Sequence, residues 1–169
     1  MSAAGGGEVS RFGDPASDAT SEASGRVREL LERIARVVGV TARVNVREND
    51  EHIWGEFAGE DLGILIGHHG QTIDAIQHLA YRIAFPGASA RKAVVVDAAG
   101  YRERRAVALR AAADQAAEAA IHDGRPVALE PMSAIERKLV HEHLRMRRDV
   151  ETYSEGEEPS RRLVVAPVV

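Results

Sequence analysis

Between the apolar triplet Ile64-Leu65-Ile66 and a helical stripe that begins at Ile73, the chain has six residues, four of which are Gly67-His68-His69-Gly70. Glycine at both ends of so short a span makes a tight turn, because glycine alone enters the positive-φ region without steric cost. Beyond it, Ile73, Ile76, Leu79, Ala80 and Ile83 recur at three- and four-residue steps, predicting a helix that Pro86-Gly87 ends. A turn of this kind aims its backbone N–H groups and the positive end of the second helix at one point, which suits a phosphate. Spacing alone decides nothing, since fifteen glycines in 169 residues produce about one such match by chance. Two readings stand at this level: a loop that clamps a polyanion's backbone, and a helix corner that needs glycine only for its φ.

The surroundings of the turn set its context. Val27, Leu30, Leu31, Ile34, Val37 and Val38 form the stripe of an amphipathic helix that Gly39 stops. Ala42, Val44 and Val46 then alternate with Arg43, Asn45 and Arg47, Asn49-Asp50 makes a turn, and His52 to Phe57 returns as a second strand. Arg91 to Asp97 is a third strand. The order helix, strand, strand, short helix, glycine turn, helix, strand is a small α+β unit over residues 25–98. Residues 1–24, rich in Gly, Ser and Ala, bury too little to offset chain entropy and are expected to form a disordered tail.

A second unit is expected over residues 99–169. Tyr101 to Ile121 is Ala- and Arg-rich, a strong helix former closed by Gly124 and Pro126, and Val127-Ala128-Leu129 is a short strand. Ser133-Ala134-Ile135-Glu136 reads as a capping box opening a helix to about Met146. Val150 to Tyr153 and Arg162 to Val165, on either side of the acidic turn Glu155 to Pro159, read as a closing hairpin. On the capped helix Arg137 and His141 stand four apart and share a face, with Lys138 beside them. Composition alone supplies about one such Arg/His pair by chance. A guanidinium and an imidazole there suit a phosphate or a base face; equally, Arg137 can pair with an acid of the Glu155–Glu158 turn and His141 can pack within the unit.

Other chemistries are disfavoured. With no cysteine there are no disulfides, thiolate metal sites or cysteine nucleophiles. His68-His69 and His141-Glu142-His143 lack the i, i+4 spacing of a helical metal pair, and the glycine turn lacks the GK[ST] ending of a nucleotide loop. The expectation is a protein that is not an enzyme and uses no cofactor or metal. No window approaches the ~20 apolar residues of a membrane span, and the first residues lack the pattern of a signal peptide, so a soluble cytoplasmic protein without membrane insertion is expected. The net charge of -4 is unevenly spread: residues 101–150 carry ten Lys and Arg against eight Asp and Glu, whereas residues 1–60 carry seven against eleven. A polyanion would therefore be held by local cradles, with modest affinity.

Ile66-Gly67-His68-His69-Gly70-Gln71-Thr72-Ile73 resembles the core motif of a KH domain, and the element order αββααβ matches the prokaryotic form of that fold. Pro131 to His141, followed by Thr152 to Pro159 and Arg161-Arg162, resembles the Arg-xxx-His (R-three-H) domain, whose helices pack on a small sheet, of the bacterial Jag family, also called KhpB or SpoIIIJ-associated proteins. The resemblance covers about residues 25 to 166, in the family's domain order, without the extra N-terminal domain of some members. It implies a two-domain binder of single-stranded RNA, a regulator or chaperone of transcripts linked to cell elongation and division and paired with a small single-domain KH protein. By carry-over, Gly67, His68, His69 and Gly70 grip the RNA backbone, Ile64, Ile66 and Ile73 border or underpin a base groove, and Arg137, Lys138, His141, Arg161 and Arg162 contact phosphate or base. Two histidines stand where members often carry Lys or Arg. The alternative is an interaction scaffold whose KH fold pairs with another protein and touches RNA incidentally.

Overall fold

The computed structural model describes residues 21–87 and 92–168. Residues 1–20 of the expected tail, and Arg91 at the expected start of the third strand, lie outside them. Twelve elements follow in the order α1 (Glu22–Val37), β1 (Ala42–Glu48), β2 (His52–Gly59), α2 (Gly63–Ile66), a 3-10 turn (His68–Gly70), α3 (Gln71–Ala84), β3 (Ala93–Ala98), α4 (Tyr101–Asp123), β4 (Val127–Pro131), α5 (Ala134–Leu144), β5 (Val150–Glu155) and β6 (Arg162–Pro167). Both halves are α+β, as expected.

The first half is a three-stranded sheet, β1-β2-β3, with α1 and α3 packed on it. β1 and β2 are antiparallel, with Val44 opposite Phe57. Asn49 Oδ1 accepts the amides of Glu51 at 2.9 Å and His52 at 2.7 Å, so the side chain closes the hairpin turn. β3 lies parallel to β2, with Val96 opposite Gly55, which requires the crossover that α2, the glycine turn and α3 provide. Leu31, Ile53, Phe57, Leu65 and Ile73 are wholly buried between the layers, each contributing about 1.5–3 kcal/mol relative to exposure. Gly55 lets α1 sit down on the sheet, since a Cβ there would overlap Leu31 Cδ1.

Two expectations shift. Ser21 to Ser24, assigned to the tail, form the cap and first turn of α1: Ser21 accepts the Ser24 amide at 3.2 Å, and Ser24 is buried. On α3 the core face is Ile73, Ile76, Ala80 and Ala84, while Leu79 and Ile83 are exposed. Ala80 and Ala84 face inward into the core, where α3 meets α1.

The second half is a sheet of order β4-β6-β5 with α4 and α5 against it. Its core joins Leu109, Ala113 and Ala117 of α4 with Val140 and Leu144 of α5 and Leu163 and Val165 of β6. The expected capping box is present: the Ser133 hydroxyl accepts the Glu136 amide at 3.3 Å, and Glu136 accepts the Ser133 amide at 2.9 Å. α5 ends at Leu144 rather than Met146. Among the described residues no helix is long and apolar enough to cross a membrane.

Candidate nucleic-acid interface

The Gly67–Gly70 loop joins α2 to α3, and its conformation explains its glycines. Gly67 has φ 73° and Gly70 φ 83°. A Cβ on Gly67 would overlap the Thr72 side chain and stand 2.9 Å from the Thr72 amide; one on Gly70 would stand 2.9 Å from the Tyr101 ring. His69 also occupies the left-handed region, at φ 51°. That twist turns its ring onto His68, the two imidazoles stacking at 3.9 Å and 18°. His68 is exposed and His69 half-buried. Ile64 is exposed beside the loop, Ile66 is half-buried and Ile73 is wholly buried beneath it. The loop opens directly onto the first turn of α3; the Gly70 amide donates to Gly67 O at 3.4 Å and the Gln71 amide to His68 O inside the loop, and the amides that follow are those a helix start leaves without a partner within the helix.

The chain's second half supports the loop from behind. Tyr101, the first residue of α4, packs against Gly70, and burial pushes its hydroxyl pKa above the ordinary value. Arg102 ties the same turn to the first half: it donates to Val96 O at 2.9 Å and Gln77 Oε1 at 3.0 Å and pairs with Asp74 of α3 at 2.9 Å. Glu130, near the end of β4, brings its carboxylate to 3.5 Å from His69 Nε2. Sequence reasoning missed these three residues. Only the position of Tyr101-Arg102 at the start of a long helix, straight after Ala99-Gly100, hinted at a junction.

The α5 face is a second, separate concavity of about 350 Å³, open to solvent and lined by Ala134, Arg137, Lys138, His141, Thr152, Tyr153, Ser154 and Leu163. Arg137, Lys138 and His141 are thus brought together as expected, in different states. Lys138 and His141 are exposed, Lys138 lying a loose 3.7 Å from Glu142 and His141 Nδ1 2.6 Å from Thr152 Oγ1. Arg137 is 8% exposed, donating to Met132 O and to Glu158 Oε1, each at 2.6 Å. The alternative left open above, Arg137 pairing with the acidic turn, is the arrangement present. Arg162 pairs with Glu155 across the strands at 2.7 Å, and Arg161 is half-buried, its Nε enclosed without a hydrogen-bond partner among the described residues. No group of three or more potential metal ligands occurs among the described residues.

A GxxG loop between two helices on an αββααβ sheet, followed by a helix-on-sheet unit carrying Arg-xxx-His, defines a tandem of a KH and an R-three-H domain. Family models agree: the KhpA/KhpB KH domain matches residues 27–97 and the R-three-H domain residues 107–167. Proteins called RNA-binding protein KhpB are similar over most of the chain. That of Lactiplantibacillus plantarum is 40% identical over 143 residues, 83% of this chain and 44% of the relative. That of Clostridium symbiosum is 35% identical over 140 residues, 82% and 63%, and that of Bacillus subtilis 33% identical over 140 residues, 80% and 66%. The chain belongs to the KhpB family. It spans about half to two thirds of the length of these relatives.

Proposed function

We propose that this chain binds single-stranded RNA without chemical turnover, capturing backbone at the Gly67–Gly70 loop and contacting phosphate or base at the α5 face through Lys138 and His141. The observation that carries the reading is the loop's geometry: two positive-φ glycines and a left-handed His69 hold a turn at the N-terminus of α3 with His68 exposed at its tip, next to the exposed Ile64. Backbone capture needs these donors, and flanking bases need an apolar edge. Arg161 and Arg162 support the α5 face by their charge; Arg137 contributes by holding the acidic turn beside it. The names of the relatives support the same reading. A role in the cytoplasm as a regulator or chaperone of transcripts, tied to cell elongation and division, rests on family resemblance.

Anisotropy titrations of labelled single-stranded RNA test the reading. Affinity should fall with salt at a logarithmic slope of about -2 to -4, for ~3 to 5 phosphates at ~0.7 each. Duplex RNA should bind more weakly, and the double variant His68→Asp, His69→Asp should lose loop binding. Equal affinity for duplex, or indifference to salt, rules it out.

The scaffold reading is favoured by one feature, the exposed stripe Ala75, Leu79 and Ile83 on the outer side of α3. A small single-domain KH protein is the partner this reading takes from the resemblance. It predicts that Leu79→Asp abolishes co-elution with such a partner while RNA affinity stays unchanged.

A further inference from the structure

The sheet of the second half ends in an irregular stretch. β4 keeps one register with β6 at Val127 and Ala128, and pairing resumes at Pro131 with the register shifted by one residue. An irregularity of this kind on an edge strand re-aims a side chain. Leu129 is held against the core of its own half, and Glu130 points away from it, 75% exposed, onto the KH loop. Its carboxylate makes one ion-pair contact among the described residues, with His69 Nε2 at 3.5 Å, where the His69 side chain is 28% exposed. Glu130 therefore contributes little to the fold, yet it stands at the place where the loop would meet a polyanion.

The charges around this point come from four elements: the loop, α3, α4 and β4. The loop offers His68 and His69. α3 offers Asp74, which Arg102 of α4 already neutralises at 2.9 Å. β4 offers Glu130, whose charge has no cation opposite it among the described residues other than an imidazole. A phosphate in hydrogen-bond contact with His69 would lie within about 7 Å of that carboxylate, close enough for like charges to repel through partly screened solvent.

We propose that Glu130 is an affinity-determining residue of the KH loop, a carboxylate supplied by the R-three-H half that competes with RNA phosphate for His69 and holds loop affinity down. This rests on the RNA-binding reading above and adds that the second domain sets the strength of the first domain's site. RNA engagement exchanges the His69–Glu130 contact for a His69–phosphate contact and leaves the carboxylate beside the strand. Removing the charge should strengthen binding and reversing it should strengthen binding further, both most visibly at low salt.

The test uses the full chain and a fluorescein-labelled 12-nucleotide single-stranded RNA of mixed sequence, titrated by anisotropy at neutral pH at low and at high salt. Wild type is compared with Glu130→Gln, Glu130→Lys and Glu32→Gln, the last removing an equal charge from an exposed site on α1. Expected are a gain of roughly threefold for Glu130→Gln and roughly tenfold for Glu130→Lys, shrinking toward unity at high salt, with Glu32→Gln near wild type and all melting temperatures alike. Wild-type binding with unchanged or weakened affinity in both Glu130 variants overturns the inference and leaves the RNA reading standing. A gain for Glu32→Gln equal to that for Glu130→Gln overturns it too, because the effect is then net charge. Failure of wild type and Glu130→Lys alike to bind removes the RNA reading and this inference together.

Discussion

Arg137 and Lys138 are neighbours on one helix, alike in charge, and the structure gives them opposite fates on truncation. Arg137→Ala removes two 2.6 Å charge-assisted bonds, from Nη1 to Met132 O and from Nη2 to Glu158 Oε1, from a side chain 8% exposed. The two partners do not lose equally. Glu158 is 59% exposed and recovers water, so its share is small, whereas Met132 is buried and its carbonyl is left without a donor. A buried unsatisfied carbonyl costs about 1–3 kcal/mol, and the lost packing of the arginine stem adds to it, giving about 2–4 kcal/mol in all. At ~2–4 °C per kcal/mol for a chain of this size, the melting temperature should fall by roughly 5–15 °C. Lys138→Ala, which loses only an exposed 3.7 Å contact to Glu142, should stay within about 0.5 kcal/mol of wild type. Thermal melts followed by circular dichroism on both variants decide the matter, and RNA affinity must be measured well below the variant's transition. An Arg137→Ala protein melting within about 2 °C of wild type would refute the structural assignment and return Arg137 to the pool of direct contacts.

Gly67→Ala should destabilise the chain by about 2 kcal/mol or more and disable the loop, because the new Cβ meets Thr72 at a φ of 73°; urea unfolding and RNA titration of the same sample read both effects. Glu48, whose side chain is 10% exposed, supplies an acid-sensitive clasp: burial pushes its pKa up, but the bond from Lys92 at 2.6 Å and the neighbouring Ser21 and Ser24 outweigh this and lower it to about 2. A depressed folded-state pKa contributes stability above the unfolded value near 4.5 that is lost as pH falls toward 2. Wild type should accordingly lose about 2 kcal/mol more than Glu48→Gln between pH 6 and pH 2.5, and equal losses in parallel urea titrations would remove the clasp.

What the sequence disclosed depended on how local its cause was. The capping box at Ser133 and Glu136 and the hairpin turn at Asn49 act over three residues, and both lie where the pattern puts them. The α1 start escapes the pattern because Ser21 caps a helix whose first turn, Glu22 to Ser24, has the composition of a tail; the buried Ser24 and the bond from the Ser21 amide to Glu48 are tertiary facts. Leu79 and Ile83 look like core because they are large, yet Ala80 and Ala84 are the residues that face inward where α3 meets α1. The glycine loop itself is visible in outline. Its supports, Tyr101 behind Gly70 and Glu130 beside His69, lie 31 and 61 positions away in the chain, and no periodicity encodes such meetings.

In the β4-β6-β5 sheet the last strand along the chain occupies the middle. β4 and β5 each pair only with β6 among the described strands, Val127 meeting Val165 and Thr152 meeting Val165 from the other side. A polypeptide emerging from the ribosome can therefore complete the first sheet once Ala98 is free, while the second remains two unjoined edges until residues 162–167 arrive. Synthesis thus exposes a completed first sheet trailed by an unfinished R-three-H half. A stop codon before Arg162 would leave that half without a sheet at all, a target for proteolysis rather than a shortened but working domain.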